Sequence, residues 1–325
     1  MKIVKCLFII GLSICILTLT GCGGKPVQKE PIRIAVNVWP GQAHVYLAQE
    51  KGLFEKNNVE VELILKESIT ESSQLFTNGE VDGCFGVFAD IIMINAKGIP
   101  AKVVYITDYC DAGDVIIGKP DIQSLAGLVG KTVSFEGINT FSHIFVLSAL
   151  EKAGVHESDV RFENIKASDV LAALEENRID AGHTWDPTKS QLLEKGYKIL
   201  AKAGDYPGII TDILVFTPKV ITERPDEIRA IVKSLFEALD YLKSHRDEAV
   251  KIMADKMGMS EEEMAAGIEG VYQMNLKENS ELLTTSLCTT GELIVDFYLR
   301  RGQLSHAMEI KDIIEPKFIA ELADK

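Results

Sequence analysis

Several kinds of residue and motif are scarce in this sequence, and each scarcity argues against a class of function. The 325 residues include only two tryptophans, and 34 lysines and arginines stand against 48 aspartates and glutamates, for a formal net charge of −14. A chain this acidic is a poor partner for nucleic acid. The sequence has no glycine-rich phosphate loop and no G-x-S-x-G elbow, so it lacks the usual motifs of nucleotide and serine-hydrolase chemistry.

Cysteine and histidine are also too few and too scattered for a disulfide framework or a metal site. Beyond the N-terminal segment only Cys84, Cys110 and Cys288 follow, and an odd number cannot all pair. Cys84 and Cys110 fall near predicted strand ends, where they form either one disulfide or two buried thiols, and buried thiols are the commoner outcome. The histidines lack the short spacing of zinc ligands. We therefore predict neither a metal nor a cofactor.

The one long hydrophobic run stands at the N-terminus. Two lysines precede an apolar stretch over 6–19, and the stretch ends in the residues LTGC. This is the order of a secretory signal, and the stretch is shorter than the roughly 20 residues of a membrane-spanning helix. LTGC resembles the bacterial lipobox, whose cysteine is lipidated. We predict a signal peptide over 1–21, lipidation of Cys22, a tether over 22–31 and an extracytoplasmic, membrane-anchored protein. The alternative is a plain secreted protein with an incidental Cys22.

Short β-rich runs alternate with helical patterns, which is typical of βαβ units and parallel sheets. The predicted strands are 32–38, 59–64, 81–87 and 102–106 in a first pass, then 131–136, 160–165, 181–185 and 197–201 in a second. The second pass repeats the first faintly, since "GEVDGCFGV" aligns with "NRIDAGHTW". From Thr222 onward only helices are predicted, with apolar residues at helical spacing. The sequence therefore predicts two similar α/β units followed by helices.

Candidate binding residues follow the predicted strands, because ligands of open parallel sheets bind beyond the carboxyl ends of the strands. In the first unit, Trp39 and Gln42 follow one strand and Phe88 follows another. In the second unit, Trp185 and Asp186 take the place that corresponds to Phe88. The loop that matches Trp39 leads into a helix N-terminus and contains Thr140, Ser142 and His143. The alternatives are structural: core tryptophans, a helix cap at Asp186 and a satisfied histidine.

Four stretches together resemble a known family. They are "WPGQAHVYLAQEKGLFEKNNVEVEL", "SHIFVLSALEKAG", "TWDPTKSQLLEKG" and "PGIITDILVF". In this order they are similar to the nitrate, taurine and sulfonate class of ABC-importer substrate-binding proteins, an NMT1/THI5-like class that also binds thiamine-pyrimidine precursors. The resemblance implies an α/β fold of the two-lobed periplasmic-binding-protein type 2, with parallel-rich sheets, flanking helices and extra C-terminal helices. It implies lobe 1 over 32–110 and 213–325, lobe 2 over 111–212, and two crossover strands between them.

Acidic residues cluster where the resemblance places the ligand. Asp111 and Asp114 lie in a crossover along the cleft floor, and Asp212 lies where the chain returns to lobe 1, whereas Asp108 is expected to be a solvated loop charge. The only basic residue of the candidate loops is Lys189; their acids are Asp90, Asp111, Asp114, Glu136, Asp186 and Asp212. Unpaired carboxylates in a closing cleft are costly unless a cation enters, and tryptophan faces suit a cation. This predicts a small cationic or amino-bearing solute, such as a guanidinium compound, an amine or an aminopyrimidine.

The resemblance implies binding without chemistry. On this view a monomer captures a small molecule between its lobes and delivers it to an ABC permease in the membrane. One alternative is a taurine, sulfonate or nitrate binder of the same fold, since helix N-termini hold anions through backbone N–H groups. A second is a ligand-sensing module for a membrane receptor. A third is an enzyme like the pyrimidine-precursor synthases, whose cysteine-rich run is reduced to one cysteine in "DGCFGV".

Overall fold

The structure of this protein is a computed structural model, which describes residues 30–323. The predicted signal peptide, nearly all of the tether and the lipidation site at Cys22 lie outside the described residues. From Pro31 onward the chain forms one compact unit. None of the helices in 30–323 combines the length and the apolar composition that a membrane crossing requires.

Eleven strands in the described residues form two mixed sheets. They are β1 (Ile32–Asn37), β2 (Val61–Lys66), β3 (Gly83–Val87), β4 (Lys102–Cys110), β5 (Val115–Gly118), β6 (Thr132–Phe135), β7 (Arg161–Asn164), β8 (Ala181–Thr184), β9 (Lys198–Lys202), β10 (Thr211–Phe216) and β11 (Val271–Tyr272). The first sheet has the order β11-β4-β10-β3-β1-β2 and the second the order β7-β6-β8-β5-β9. All eight strands predicted from the two passes are therefore present.

The chain crosses between the sheets twice, from β4 to β5 and from β9 to β10. The strands built from the two sequence passes pair in parallel, as in β1–β2, β1–β3, β6–β7 and β6–β8. The strands at the crossings run the other way: β10 is antiparallel to β3 and β4, and β5 is antiparallel to β8 and β9. Strand membership thus changes near residues 110 and 211, while the lobe boundaries at 110 and 212 stay a prediction.

Helices flank both sheets. In the described residues they are α1 (His44–Glu50), α2 (Leu53–Lys56), α3 (Ile69–Thr77), α4 (Phe88–Ala96), α5 (Phe141–Lys152), α6 (Val170–Glu175), α7 (Thr188–Glu194), α8 (Pro218–Glu223), α9 (Pro225–Ser244), α10 (Arg246–Met257), α11 (Glu261–Glu269), α12 (Leu276–Thr284), α13 (Ser286–Arg300) and α14 (Lys317–Ala323). Pro225 opens α9, and an apolar stripe that includes Ile228, Ile231 and Leu235 is buried against α1. Helix α10 also packs on α1, and α12 and α14 pack on β4. The late helices therefore cover the first sheet.

Helix α13 contacts both halves of the molecule. It packs on α4 beside the first sheet. At its C-terminal end the Tyr298 hydroxyl donates to the backbone oxygen of Asn139, 3.1 Å away, and Arg301 forms an ion pair with Glu157 at 2.5 Å. Both partners belong to the chain segment that builds the second sheet. The C-terminal helices thus do more than cover the first sheet.

Candidate ligand-binding site

A small cavity of about 10 Å³ lies between the two sheets. A cavity of that size accommodates roughly one water-sized sphere. Its lining residues come from strand ends and helix starts of both sheets: Asn37, Trp39, Ile69, Val87, Asp114, Phe141, Trp185, Ile210 and Asp212. Two of these nine described residues are carboxylic acids, three are aromatic and none is basic. The cavity is therefore lined by both acidic and aromatic side chains.

The two tryptophans meet across the cavity. Trp39 follows β1 and Trp185 follows β8, and their rings pack edge to face with centroids 6.3 Å apart. Trp185 also packs on Phe141, at 6.0 Å between centroids. Both indole nitrogens are satisfied, since Trp39 Nε1 donates to Asp108 Oδ2 at 3.2 Å and Trp185 Nε1 donates to the backbone oxygen of Val38 at 3.3 Å. Both rings line the cavity although they are largely buried.

The loop after β1 is shaped around the contact between Trp39 and Asp108. A Cβ atom at Gly41 would lie 2.1 Å from Asp108 Oδ2 and 2.5 Å from Trp39 Nε1, so only glycine fits there. Gln42 Nε2 donates to the backbone oxygen of Asn37 at 2.7 Å and to its side-chain oxygen at 2.8 Å. Gln42 thus holds the Asn37 side chain, which lines the cavity, and does not line it itself.

Asp108 is fully buried, so the expectation of a solvated loop charge is wrong. Strand β4 continues to Cys110, and Asp108 pairs in register with Asp212 on β10. The two side chains are within hydrogen-bond reach of each other. Neither Asp108 Oδ1 nor Asp212 Oδ2 receives a hydrogen bond from an N–H or O–H group of the described residues. Two buried carboxyl groups this close favour the form in which the pair holds one proton, because two carboxylates repel each other.

Burial raises the pKa of both Asp108 and Asp212 above the ordinary value. The negative charges of Asp108 and Asp114 raise the pKa of Asp212 further. No lysine or arginine within 30–323 forms an ion pair with either member of this pair. The charge that faces the cavity from the first sheet therefore lacks a counter-ion from the protein.

Asp114 enters the cavity from the second sheet and has protein partners. His183 Nε2 lies 2.9 Å from Asp114 Oδ1, and the His183 Nδ1 atom lies 2.7 Å from Ser142 Oγ. Ser142 Oγ also accepts the backbone N–H of Glu136 at 2.8 Å. Ser142 and His183 are fully buried and Asp114 is 2% exposed. The Ser142 hydroxyl therefore positions His183 and does not line the cavity.

Asp186 is compensated within the protein. Its Oδ2 atom lies 2.5 Å from Lys189 Nζ, and its Oδ1 atom accepts hydrogen bonds from the backbone and side chain of Ser190. Lys189 Nζ also donates to the backbone oxygen of Ala112 at 3.1 Å. The N-cap residue of α7 is Pro187, so Asp186 is not itself the N-cap, although its side chain accepts the Ser190 N–H group in the first turn. This carboxylate lines a wider opening beside the cavity and not the cavity itself.

That wider opening, of about 370 Å³, shares Trp185 with the small cavity. Its lining includes the exposed acids Glu67 and Asp169 and the buried acids Glu136 and Asp186. The Glu136 carboxylate is satisfied, since it accepts from Thr70 Oγ1 at 3.1 Å and from the Ala167 N–H group at 3.0 Å. Residues from both halves of the molecule line the opening. Its four acidic side chains surround the Trp185 ring.

Asp90 connects the two halves beside the cavity. Its Oδ1 atom accepts the backbone N–H of Phe141 at 2.7 Å, so a residue of α4 caps the start of α5. Asp90 is 9% exposed, and burial raises its pKa to about 7. The hydrogen bond from Phe141 lowers this pKa and the charge of Glu136 raises it. Sequence reasoning placed Asp90 only among the acids of the candidate loops.

Of the residues predicted from the sequence, Trp39, Asp114, Trp185 and Asp212 line the cavity. Phe88 is buried at the start of α4, where its neighbour Val87 lines the cavity instead. Asp111 is exposed and borders a separate depression of about 440 Å³ that also contains Tyr109 and Tyr272. Thr140, Ser142 and His143 shape the start of α5 outside the cavity. Asn37 and Phe141 were missed, although both stand at a strand end or helix start.

His143 is held by the protein itself. Its ring stacks on Phe135 with centroids 4.2 Å apart, and its Nδ1 atom accepts the N–H of Asn139 at 3.1 Å. Burial lowers its pKa to about 4.

In the part of the chain that the structure describes, no group of three or more His, Cys, Asp and Glu side chains could hold a metal ion. Cys84, Cys110 and Cys288 are free thiols, so Cys84 and Cys110 do not pair.

A family model described as NMT1/THI5 like matches residues 39–249. A protein of Haemophilus influenzae (strain ATCC 51907 / DSM 11121 / KW20 / Rd), named for thiamine biosynthesis, is 29% identical over 229 residues, which is 68% of this chain and 72% of that protein. The formylaminopyrimidine-binding protein of Halalkalibacterium halodurans is 23% identical over 268 residues, which is 75% of this chain and 77% of that protein.

The fold has close counterparts among solved structures. The periplasmic aliphatic sulphonate binding protein from Escherichia coli matches with a TM-score of 0.73 at 19% identity, over 90% of this chain and 99% of that chain. At this identity the likeness establishes architecture and leaves the ligand open. The predicted α/β fold of the periplasmic-binding-protein type is thereby confirmed.

Proposed function

This chain belongs to the NMT1/THI5-like family, and on that premise we propose that it is an extracytoplasmic solute-binding protein that captures a small cationic or amino-bearing molecule between its two sheets. Binding and closure, without bond chemistry, constitute its activity. An ABC permease in the membrane receives the solute. Lipid at Cys22 anchors the protein beside that permease, and the protein acts as a monomer.

One observation carries the choice of a cation: the cavity presents carboxylates and indole faces and no basic side chain. Asp212 and Asp114 point into it, and the Asp212–Asp108 pair has only a shared proton to offset its charge. A buried charge without a partner is costly, so a cation that replaces the proton is favoured. Trp39 and Trp185 add cation–π attraction.

The dimensions favour a compact positive group. The cavity next to Asp212 takes little more than one small group, whereas the adjoining opening of about 370 Å³ takes the rest of a larger solute past Trp185. A single ammonium or N–H group of the solute fits the small cavity, and the wider opening has room for the rest of an amine, a guanidinium compound or an aminopyrimidine. The relative named for formylaminopyrimidine binding supports the amino-bearing class. The acidic rim at Glu67 and Asp169 steers such a solute inward.

A calorimetric panel tests this proposal. Purified protein is titrated with guanidine, methylguanidine, small amines, aminopyrimidines, taurine, methanesulfonate and nitrate. At least one cation binds to wild type, and Asp212→Asn and Trp185→Ala each weaken its binding, the first by roughly tenfold to a hundredfold because one charge-assisted hydrogen bond is worth about 1.5–3 kcal/mol. The matched control is Asp240→Asn, which removes an exposed carboxylate on α9 and leaves affinity unchanged. Tight binding of nitrate or a sulfonate that survives both site substitutions contradicts the proposal.

A further inference from the structure

The start of helix α5 is an anion-binding position by its geometry. The helix has 12 residues, and Phe141, its first residue, lines the cavity. The first turn of a helix has backbone N–H groups without helical partners, and the helix dipole places about half a positive charge there. A free anion of suitable size binds readily at such a terminus.

In this protein a carboxylate from the other half of the molecule already occupies that position. Asp90 Oδ1 lies 2.7 Å from the Phe141 nitrogen, and the Asp90 side chain comes from α4, beside the first sheet. Thr140 Oγ1 accepts the His143 N–H at 3.5 Å. Two of the N–H groups of the first turn are thus satisfied by side chains, and the stronger acceptor is an acid more than nine-tenths buried.

The position of Asp90 also adds to the charge near the cavity. Burial is the main cause that raises the pKa of Asp212, the charges of Asp108 and Asp114 follow, and the charge of Asp90 adds a smaller contribution in the same direction. An anion that approached the Phe141 N–H group would meet the Asp90 carboxylate already bound there, and Asp212 and Asp114 also line the cavity. Like charges at such short range in a buried site are strongly repulsive.

We propose that Asp90 is a specificity-determining residue whose carboxylate fills the anion-binding position at the start of α5 and thereby excludes anionic solutes. This inference rests on the proposed function and adds a residue to it. The cavity selects cations in two ways. The carboxylates of its lining attract them, and the Asp90 carboxylate occupies the position at the start of α5 where an anionic solute would otherwise bind.

The test is to remove the internal anion and offer an external one. Asp90→Ala leaves a space of carboxylate size next to the Phe141 N–H group, and formate or nitrate fits such a space. The amide resonance of Phe141 is followed in ¹⁵N-labelled protein during titration with sodium formate, sodium nitrate and sodium gluconate, which is too large to enter. We expect a saturable shift of Phe141 in Asp90→Ala with formate and nitrate only, and an increase in Tm on the order of 2–4 °C at about ten times Kd.

Three control proteins accompany this variant. Asp90→Asn keeps the shape and the acceptor oxygen, so it leaves no space and gives no shift. Asp240→Ala removes an exposed acid and controls for net charge. Asp90→Ser, which retains a small acceptor, replaces Asp90→Ala if the alanine variant does not fold.

The outcomes separate the two proposals. If folded Asp90→Ala and Asp90→Ser show no saturable response to formate or nitrate while wild type binds a cation, the role of Asp90 is overturned and the proposed function stands. If wild type itself binds nitrate with a shift of Phe141, both proposals fail.

Discussion

Buried carboxylates are treated differently in the two halves of the molecule. Beside the first sheet, Asp108 and Asp212 face each other with one shared proton and no basic partner. Beside the second sheet, Asp186 has Lys189 at 2.5 Å and Asp114 has His183 at 2.9 Å. All four side chains are at least nine-tenths buried. The difference therefore lies in their partners and not in their exposure to water.

The contrast between Asp186 and the Asp108–Asp212 pair separates structural charge from functional charge. A protein that needed Asp108 and Asp212 only for stability would gain by pairing them, as it pairs Asp186, because an unpaired buried carboxylate destabilises the folded state. Asp212, one member of the uncompensated pair, instead lines the cavity, where the proposed cation would supply the missing charge. Groups with perturbed pKa values in a cleft are candidates for function on this ground.

The largest effect is expected from breaking the compensated side. Lys189→Met leaves Asp186 as a buried charge without its partner, and loss of one member of a buried ion pair costs about 3–5 kcal/mol of the free energy of unfolding. Urea denaturation measures this loss. Lys195→Met, at the exposed Lys195–Glu175 pair at the C-terminal end of α7, is the matched control and changes little. Equal losses in the two variants would show that Asp186 is not compensated by Lys189.

An intermediate effect, dependent on pH, is expected from the uncompensated side. The folded state holds the proton of the Asp108–Asp212 pair more tightly than the unfolded state does, so wild type gains stability as pH falls from 8 towards the ordinary aspartate value of 3.8. Asp108→Asn removes the Asp108 carboxyl and its charge, so the variant loses the part of this contribution that depends on Asp108, while burial still raises the pKa of Asp212. The variant should therefore be more stable than wild type at pH 8, by about 1.4 kcal/mol for each unit of raised pKa, with the gap closing towards pH 4.

The difference between the two proteins is the quantity to measure. Burial lowers the pKa of His44 and of His143 to about 4, and these histidines cost stability as pH falls below 6.5 in both proteins alike. Their contribution cancels when thermal midpoints of wild type and Asp108→Asn are subtracted at each pH. A gap that is flat from pH 8 to pH 4 would contradict the shared proton.

The smallest effect is expected at an exposed ion pair between the halves. Lys166 Nζ lies 2.6 Å from Glu71 Oε1, and both side chains are more than a third exposed. Exposed pairs contribute below about 1 kcal/mol and are screened by salt. Lys166→Gln should therefore lower Tm slightly in dilute buffer and not at all in high salt. A loss as large as that of Lys189→Met would mean that exposure does not set the value of an ion pair here.

The sequence predicts most of the framework because its strands are short β-rich runs set between helical patterns. It places Trp39 and Trp185 at the cavity because these residues follow predicted strands, whereas Asp114 and Asp212 are expected there from the family resemblance. The prediction for Asp108 is wrong because a charged residue after an apolar run is typical of the start of a loop. In the structure β4 continues to Cys110 and includes Asp108.

Contacts between distant segments explain the remaining differences. Asp90 and Phe141 are 51 residues apart, and no local pattern links a residue of one helix to the start of another. Asp186 and Lys189 are three residues apart, a spacing at which side chains on a helix can meet. This ion pair could therefore have been predicted from the sequence. The carboxyl pair Asp108–Asp212 depends on strand register, which a single sequence leaves undetermined for crossover strands.

The bonds behind Asp114 fix the polarity of one cavity wall. An ionised Asp114 carboxylate only accepts hydrogen bonds, so the His183 Nε2 atom 2.9 Å from it carries the hydrogen of a neutral ring, and Ser142 Oγ, which accepts the Glu136 N–H, can donate its own hydrogen to Nδ1. A single tautomer is thereby selected. Asp114 receives one hydrogen bond from behind and can only accept another from the front. Any solute atom that meets it must be a donor, so a molecule that presents an acceptor to this wall is refused whatever its net charge.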